Sequence, residues 1–133
     1  MFWKKNRKSK AGKKKKESGT ITLKDGATYV GELKNKVAHG EGTLTFSDGR
    51  KLNGTFKKGK PHGKNLVLTF PDGRKYIGDY LNGKRHGWGE MQFPDGEKYE
   101  GEWKNDLPHG KGRMTYPDGS VEEGRWIKGV KVK

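Results

Sequence analysis

Four histidines, His39, His62, His86 and His109, are the side chains best suited to proton transfer or metal ligation, and glycine follows each of them. They recur at intervals of 23, 24 and 23 residues. A catalytic or metal centre needs such groups to converge on one point, whereas an even spacing assigns one to each structural unit. Metal–nitrogen bonds are about 2 Å long, and units of two strands repeat at roughly 10 Å, so successive histidines are not expected to share an ion. Asp-Gly pairs at Asp25, Asp48, Asp72, Asp95 and Asp118 follow the same period. Single carboxylates so widely spaced fall short of the six or more oxygens that calcium takes, and aspartate before glycine is a common turn cap. Gly40-Glu41-Gly42, Gly87-Trp88-Gly89 and Gly110-Lys111-Gly112 lack the third glycine and the helix of a nucleotide loop. None of the four serines lies in a Gly-x-Ser-x-Gly elbow, and there is no His-Glu-x-x-His. The absence of cysteine removes thiol nucleophiles, disulfides and cysteine-ligated zinc. The expectation is a protein without catalytic activity, metal or cofactor.

Stepping outward from the histidines, two short segments separate each Asp-Gly from the next. One reads Tyr29-x-Gly31-x-Leu33, Leu52-x-Gly54-x-Phe56, Tyr76-x-Gly78-x-Tyr80, Tyr99-x-Gly101-x-Trp103 and Glu122-x-Gly124-x-Trp126; the other reads Gly42-x-Leu44-x-Phe46, Gly89-x-Met91-x-Phe93 and Gly112-x-Met114-x-Tyr116. Alternation of period two makes both strands, with the named residues on one face. Phe70-Pro71-Asp72-Gly73, Phe93-Pro94-Asp95-Gly96 and Tyr116-Pro117-Asp118-Gly119 have the chemistry of tight hairpin turns. Glycine on an inward face weakens a strand unless another group needs the space, so each repeat's aromatic ring is expected to lie over the glycines of the next. One hairpin cannot bury such a face, but stacked hairpins can. Between His62-Gly63 and Pro71 there is one residue more than between His86-Gly87 and Pro94, and Asn65 stands where the other repeats have glycine. A β-bulge around Lys64–Leu66 would restore the facing.

The fold class expected is all-β: an elongated, twisted, single-layer antiparallel sheet of stacked hairpins. Residues 1–18 are expected to form a disordered basic arm. The array runs over 19–133, with a half repeat at 19–28, full repeats at 29–51, 52–75, 76–98 and 99–121, and a half repeat at 122–133. The run Tyr76 to Gly96, with its Tyr-x-Gly, His-Gly-x-Gly-x-Met-x-Phe and Asp-Gly elements, resembles the MORN (membrane occupation and recognition nexus) repeat. The resemblance implies stacked hairpins and a role in membrane-apposed or cytoskeletal scaffolds, or in regulating an attached enzyme. Departures are Leu52 and Glu122 at the leading tyrosine position, Asn65, and the inserted residue.

Charge points to partners. The chain of 133 residues has a formal charge of +14. Nine cations, Lys4, Lys5, Arg7, Lys8, Lys10, Lys13, Lys14, Lys15 and Lys16, fall in the first eighteen residues against Glu17 alone, and Phe2 and Trp3 beside them suit a headgroup interface. No apolar run follows this stretch, so it does not read as a secretory signal, and the expected location is cytoplasmic, peripheral at the inner face of a membrane. The turns between the paired strands are basic too, through Lys34, Lys36, Lys57, Lys58, Lys60, Lys84, Arg85 and Lys104; stacking lines them up as a cationic edge. Trp88 lies off the aromatic register and is a candidate partner contact, with Ile77 and Leu81 beside it on the outward face. Anionic phospholipid or acidic protein is the partner class favoured, with nucleic acid on the arm as an alternative. A protein-only scaffold, including a homodimer through the unmatched terminal half-repeats, is a further alternative.

Overall fold

The computed structural model describes residues 17–132. Phe2, Trp3 and the nine cations of the expected arm lie outside the described residues. Twelve strands follow: β1 (Glu17–Thr22), β2 (Thr28–Lys34), β3 (Val37–Thr45), β4 (Lys51–Lys57), β5 (Lys60–Pro61), β6 (Gly63–Thr69), β7 (Lys75–Leu81), β8 (Lys84–Gln92), β9 (Lys98–Lys104), β10 (Leu107–Thr115), β11 (Val121–Ile127) and β12 (Val130–Lys131). They form one antiparallel sheet in chain order, except that β6 pairs directly with β4, and β5 pairs with the far end of β4. Among the described residues there is no helix. The first strand starts at Glu17, two residues before the expected boundary, because Glu17 and Ser18 pair with Leu33 and Glu32 of β2.

Two turn chemistries alternate. At one end of the sheet a three-residue loop closes around each Asp-Gly: in the third, Phe70 N–H donates to the Arg74 carbonyl at 2.9 Å and Gly73 N–H to the Phe70 carbonyl at 3.0 Å. Gly73 has φ of 101°, the left-handed conformation that this loop needs. The aspartate accepts from the N–H two residues on, at 2.9–3.0 Å in all five loops. At the other end, two-residue turns place both central residues at positive φ: Asn35 and Lys36, Lys58 and Gly59, Asn82 and Gly83, Asn105 and Asp106, Lys128 and Gly129. That is the type I′ geometry whose twist suits a hairpin.

The register produces a row of glycine across the sheet. Gly19, Gly31, Gly42 and Gly54 stand opposite one another in turn, as do Gly78, Gly89, Gly101, Gly112 and Gly124. Tyr29, Tyr76 and Tyr99 fold over this row, and a Cβ at Gly42, Gly89 or Gly112 would run into their rings. Each tyrosine therefore covers glycine of its own repeat, not of the next, because the neighbouring strand of the same hairpin is the surface within its reach. Its hydroxyl ends the reach by donating to the carbonyl of Glu32, Asp79 or Glu102 at 2.6, 2.8 and 2.9 Å. Contact between repeats comes from the second aromatic: Phe56 meets Tyr29, Trp103 meets Tyr76 and Trp126 meets Tyr99, edge to face, with centroids 4.9–5.1 Å apart. Trp103 also donates its indole N–H to the carbonyl of Gly89, 3.1 Å away in the preceding repeat.

The second repeat solves the same packing differently. Leu66, not Asn65, takes the glycine register position, opposite Gly78, and its side chain covers Gly54. With Leu52 in place of tyrosine no ring lies on the row, and leucine fills the space from the opposite strand. Asn65 is the bulged residue, at φ of 60°, where the register shifts between Gly63 and Leu66. Leu52, Leu66 and Tyr76 are all but fully buried.

Candidate functional site

The type I′ turns are fastened to one another, repeat to repeat. Gly59, Gly83 and Gly129 donate their N–H to the carbonyls of Ala38, Pro61 and Pro108 at 2.8–2.9 Å. The preceding turn residues Lys58, Asn82 and Lys128 donate to the Nδ1 atoms of His39, His62 and His109 at 3.5, 3.2 and 3.3 Å. The histidines thus act as acceptors that hold the next repeat's turn. At the equivalent joint after His86, Asp106 supplies the fastening: its N–H donates to the Arg85 carbonyl at 3.0 Å and its carboxylate accepts from the Arg85 N–H at 2.9 Å. Among the described residues, no cluster of histidine and carboxylate with metal-binding geometry occurs.

This fastening sets a fixed row of side chains. The last paired residues before each turn are Lys34 and Val37, Lys57 and Lys60, Leu81 and Lys84, Lys104 and Leu107, Ile127 and Val130. Each follows or precedes an inward residue, so all ten sit on the outward face, and all ten are exposed. The row contains lysine and aliphatic residues and nothing else. Exposure of the aliphatic members runs from 42% at Val37 to 62% at Val130. Lys36, Lys58 and Lys128 extend the charge onto the turn tips.

Of the cations assigned to this edge from sequence, Lys57, Lys58, Lys60 and Lys84 are exposed there, but Arg85 is not a free surface charge. It points inward, lies 5.2 Å from the Trp103 ring centroid and 5.7 Å from that of Tyr76, and its Nε is 3.3 Å from Asp106. It clamps the third and fourth repeats. Sequence reasoning missed the aliphatic members Val37, Leu107, Ile127 and Val130. The signal was present at the position two residues before each His-Gly, occupied by Val37, Lys60, Lys84 and Leu107 and never by an acid.

Behind the row stand carboxylates turned to the backbone. Glu32 and Glu102 accept the N–H of Glu41 and Lys111 at 2.6 and 2.7 Å, and Asp79 accepts those of Asn65 and Trp88 at 3.3 and 3.5 Å. These bonds close the register shifts beside Gly31, Gly78 and Gly101. At the opposite end of the sheet, the N–H of Arg50 and Arg74 holds the Asp48 and Asp72 carboxyls below the usual range, despite opposing desolvation, with the guanidinium adding to the effect. Those two arginines lie over Phe46 and Phe70 at 4.2 and 4.1 Å.

Trp88 is 58% exposed on the outward face. It borders a groove of about 620 Å³ whose floor is Gly112 and Gly124 and whose sides include Glu100, Lys111, Arg113 and Arg125. Ile77, expected beside it as an exposed residue, is half-buried, because it stands directly opposite Val67. Leu81 is exposed but belongs to the turn edge.

A family model described as MORN repeat matches residues 29–49, 53–64, 76–98 and 99–121. A search of curated proteins gave no match.

Proposed function

The chain belongs to the MORN-repeat family, and on that footing we propose that it is a non-catalytic scaffold docked on anionic membrane. The lysines of the turn edge, together with the basic residues 4–16, meet acidic lipid headgroups from the cytoplasmic side, while the sheet face is left to present a protein partner. The observation that carries this reading is the unbroken absence of acid from the ten-residue outward row at the turns. Each lysine close to an acidic leaflet contributes about 1 kcal/mol, fading within a Debye length. A row of them at fixed pitch loses little conformational freedom on docking.

Sedimentation with vesicles of graded phosphatidylserine content tests the reading. Binding is expected to rise with anionic lipid, to weaken with salt, and to drop both in a chain starting at Glu17 and in a Lys57→Glu, Lys60→Glu, Lys84→Glu variant. No binding by the full chain at low salt would leave the protein-only scaffold, and capture of RNA in preference to vesicles would move the function to nucleic acid. A protein-binding surface has its own support in Trp88, whose exposed ring beside a groove with a glycine floor is the kind of aromatic anchor found at interface hot spots.

A further inference from the structure

The turn edge is not uniform along its length. Its first two hairpins contribute Lys34, Val37, Lys57 and Lys60; the remaining three contribute Leu81, Lys84, Lys104, Leu107, Ile127 and Val130. Four of the five aliphatic members thus fall on six successive strands, β7 to β12. At ~4.8 Å per strand those six positions span about 24 Å. Adjacent strands are rotated by roughly 20–25°, so a flat partner meets a contiguous stretch of the edge and not all ten positions at once. Leu81, Leu107, Ile127 and Val130 are each 44–62% exposed, and the type I′ turns beside them are fastened to the preceding repeat. Leu107 also reaches the turn of the next hairpin, where a Cβ on Gly129 would lie 3.6 Å from its Cδ2.

Resting on the membrane-docking reading, we infer that this stretch inserts: the sheet stands on its turn edge, with Leu81, Leu107, Ile127 and Val130 in the boundary between headgroups and acyl chains of an anionic bilayer. A row of lysine and aliphatic residues alone matches that boundary, and the acid at the inserting turn tips, Asp106, is already bonded to Arg85. The aliphatic groups leave water, while Lys84, Lys104 and Lys128 keep their ammonium groups at headgroup level on apolar stems. An acidic protein would satisfy the lysines but gives no reason for the row to exclude every neutral polar side chain. The lysine-rich first half stays at the surface and the aliphatic half goes deeper, so the array is tilted, C-terminal hairpins down.

The absence of cysteine makes the test clean. Single cysteines replacing Leu81, Leu107 or Ile127 carry an environment-sensitive fluorophore in the full chain. Cysteines at Val30 and Val121, exposed but away from the type I′ turns, serve as controls. Vesicles contain phosphatidylcholine, phosphatidylserine and an acyl-chain nitroxide. A blue shift and nitroxide quenching are expected at 81, 107 and 127 and not at 30 or 121. Leu107→Gln with Ile127→Gln is expected to weaken vesicle affinity by about tenfold or more and to abolish whatever binding survives high salt. Vesicle-bound protein with no quenched label would overturn insertion and leave charge-only docking intact, and equal quenching at all five positions would overturn the edge-on orientation. A blue shift that appears without vesicles and grows with protein concentration would assign the strip to a second copy of the chain. Failure to sediment with vesicles at all would sink the docking reading itself.

Discussion

The ring of Tyr76 lies on Gly89 so closely that a methyl group there would come within 2.5 Å of both its Cε1 and its hydroxyl oxygen. Gly89 has no unusual backbone angle, so the demand for glycine is one of space alone. Gly89→Ala forces the ring off its rotamer or the strands apart, at a cost typical of overpacking, about 1–3 kcal/mol or more. Gly19→Ala is the matched control, because the nearest atom to its Cβ would be Leu33 Cδ1 at an ordinary 3.6 Å. Urea melts of the two variants are expected to separate them clearly. Equal stability would mean that the tyrosine is free to move aside.

The second repeat predicts a rescue. Leu66→Gly removes a fully buried side chain and leaves Gly54 uncovered, a loss of about 2–5 kcal/mol. Leu52→Tyr alone brings a ring into space that Leu66 fills. Combining the two rebuilds the tyrosine-on-glycine arrangement of the neighbouring repeats, so the double variant should be more stable than the sum of the single effects predicts. A double-mutant cycle measures the coupling, and an additive result would show that the two leucines do not substitute for the tyrosine and glycine.

That exchange also marks the limit of what the residue pattern reveals. Asp-Gly and His-Gly, with alternation between them, suffice to place every hairpin, and Pro-Asp-Gly names the turn. The inserted residue announces a bulge, but a count along the chain cannot tell whether Asn65 or Leu66 keeps the glycine register; only the cross-strand partner, Gly78, decides. The tyrosine target failed for a related reason. A ring over a glycine is equally compatible with the neighbouring strand on either side, and the side taken by Tyr76, toward Gly89, has no sequence signature. At the turn edge the lysines were legible by charge and Leu107 by its place before His-Gly, whereas Val130 became meaningful only when the register placed it beside Ile127.

Trp103 and Trp88 should behave as opposites. Trp103 is 5% exposed, bridges Tyr76 and Tyr99 edge to face, and bonds Gly89 across the repeat boundary. Trp103→Ala is expected to cost about 3–5 kcal/mol, enough to unfold an array of ordinary stability. Because each repeat touches only its neighbours, hydrogen exchange should rise first between residues 76 and 115 while the first two repeats stay protected. Trp88→Ala leaves an exposed position and should change the urea midpoint little. A Trp88 variant less stable than the Trp103 variant would reverse the assignment of faces.

Alkali should unfold the protein through its tyrosines. Burial raises the Tyr76 hydroxyl well above its ordinary pKa of 10.0 and pushes Tyr80 and Tyr99 up to about 12. For Tyr99 the Glu102 carboxylate adds to burial, and for Tyr80 the Arg85 cation opposes it. A tyrosine is neutral while it keeps its proton, so the folded state holds that proton more tightly than the unfolded state does. The resulting stabilisation is complete below about pH 10 and is lost as pH climbs toward 12. Every tenfold gain in proton affinity on folding is worth ~1.4 kcal/mol, so Tyr80 forfeits on the order of 2–3 kcal/mol across that window. Circular dichroism and tyrosinate absorbance near 295 nm should therefore change together in one cooperative step, not as a gradual titration followed by unfolding. Tyr80→Phe removes one titrating hydroxyl from the buried face and should move the alkaline midpoint upward while leaving the neutral-pH urea midpoint nearly unchanged. A midpoint that stays put in that variant would show that the ionisation of Tyr80 does not drive the transition.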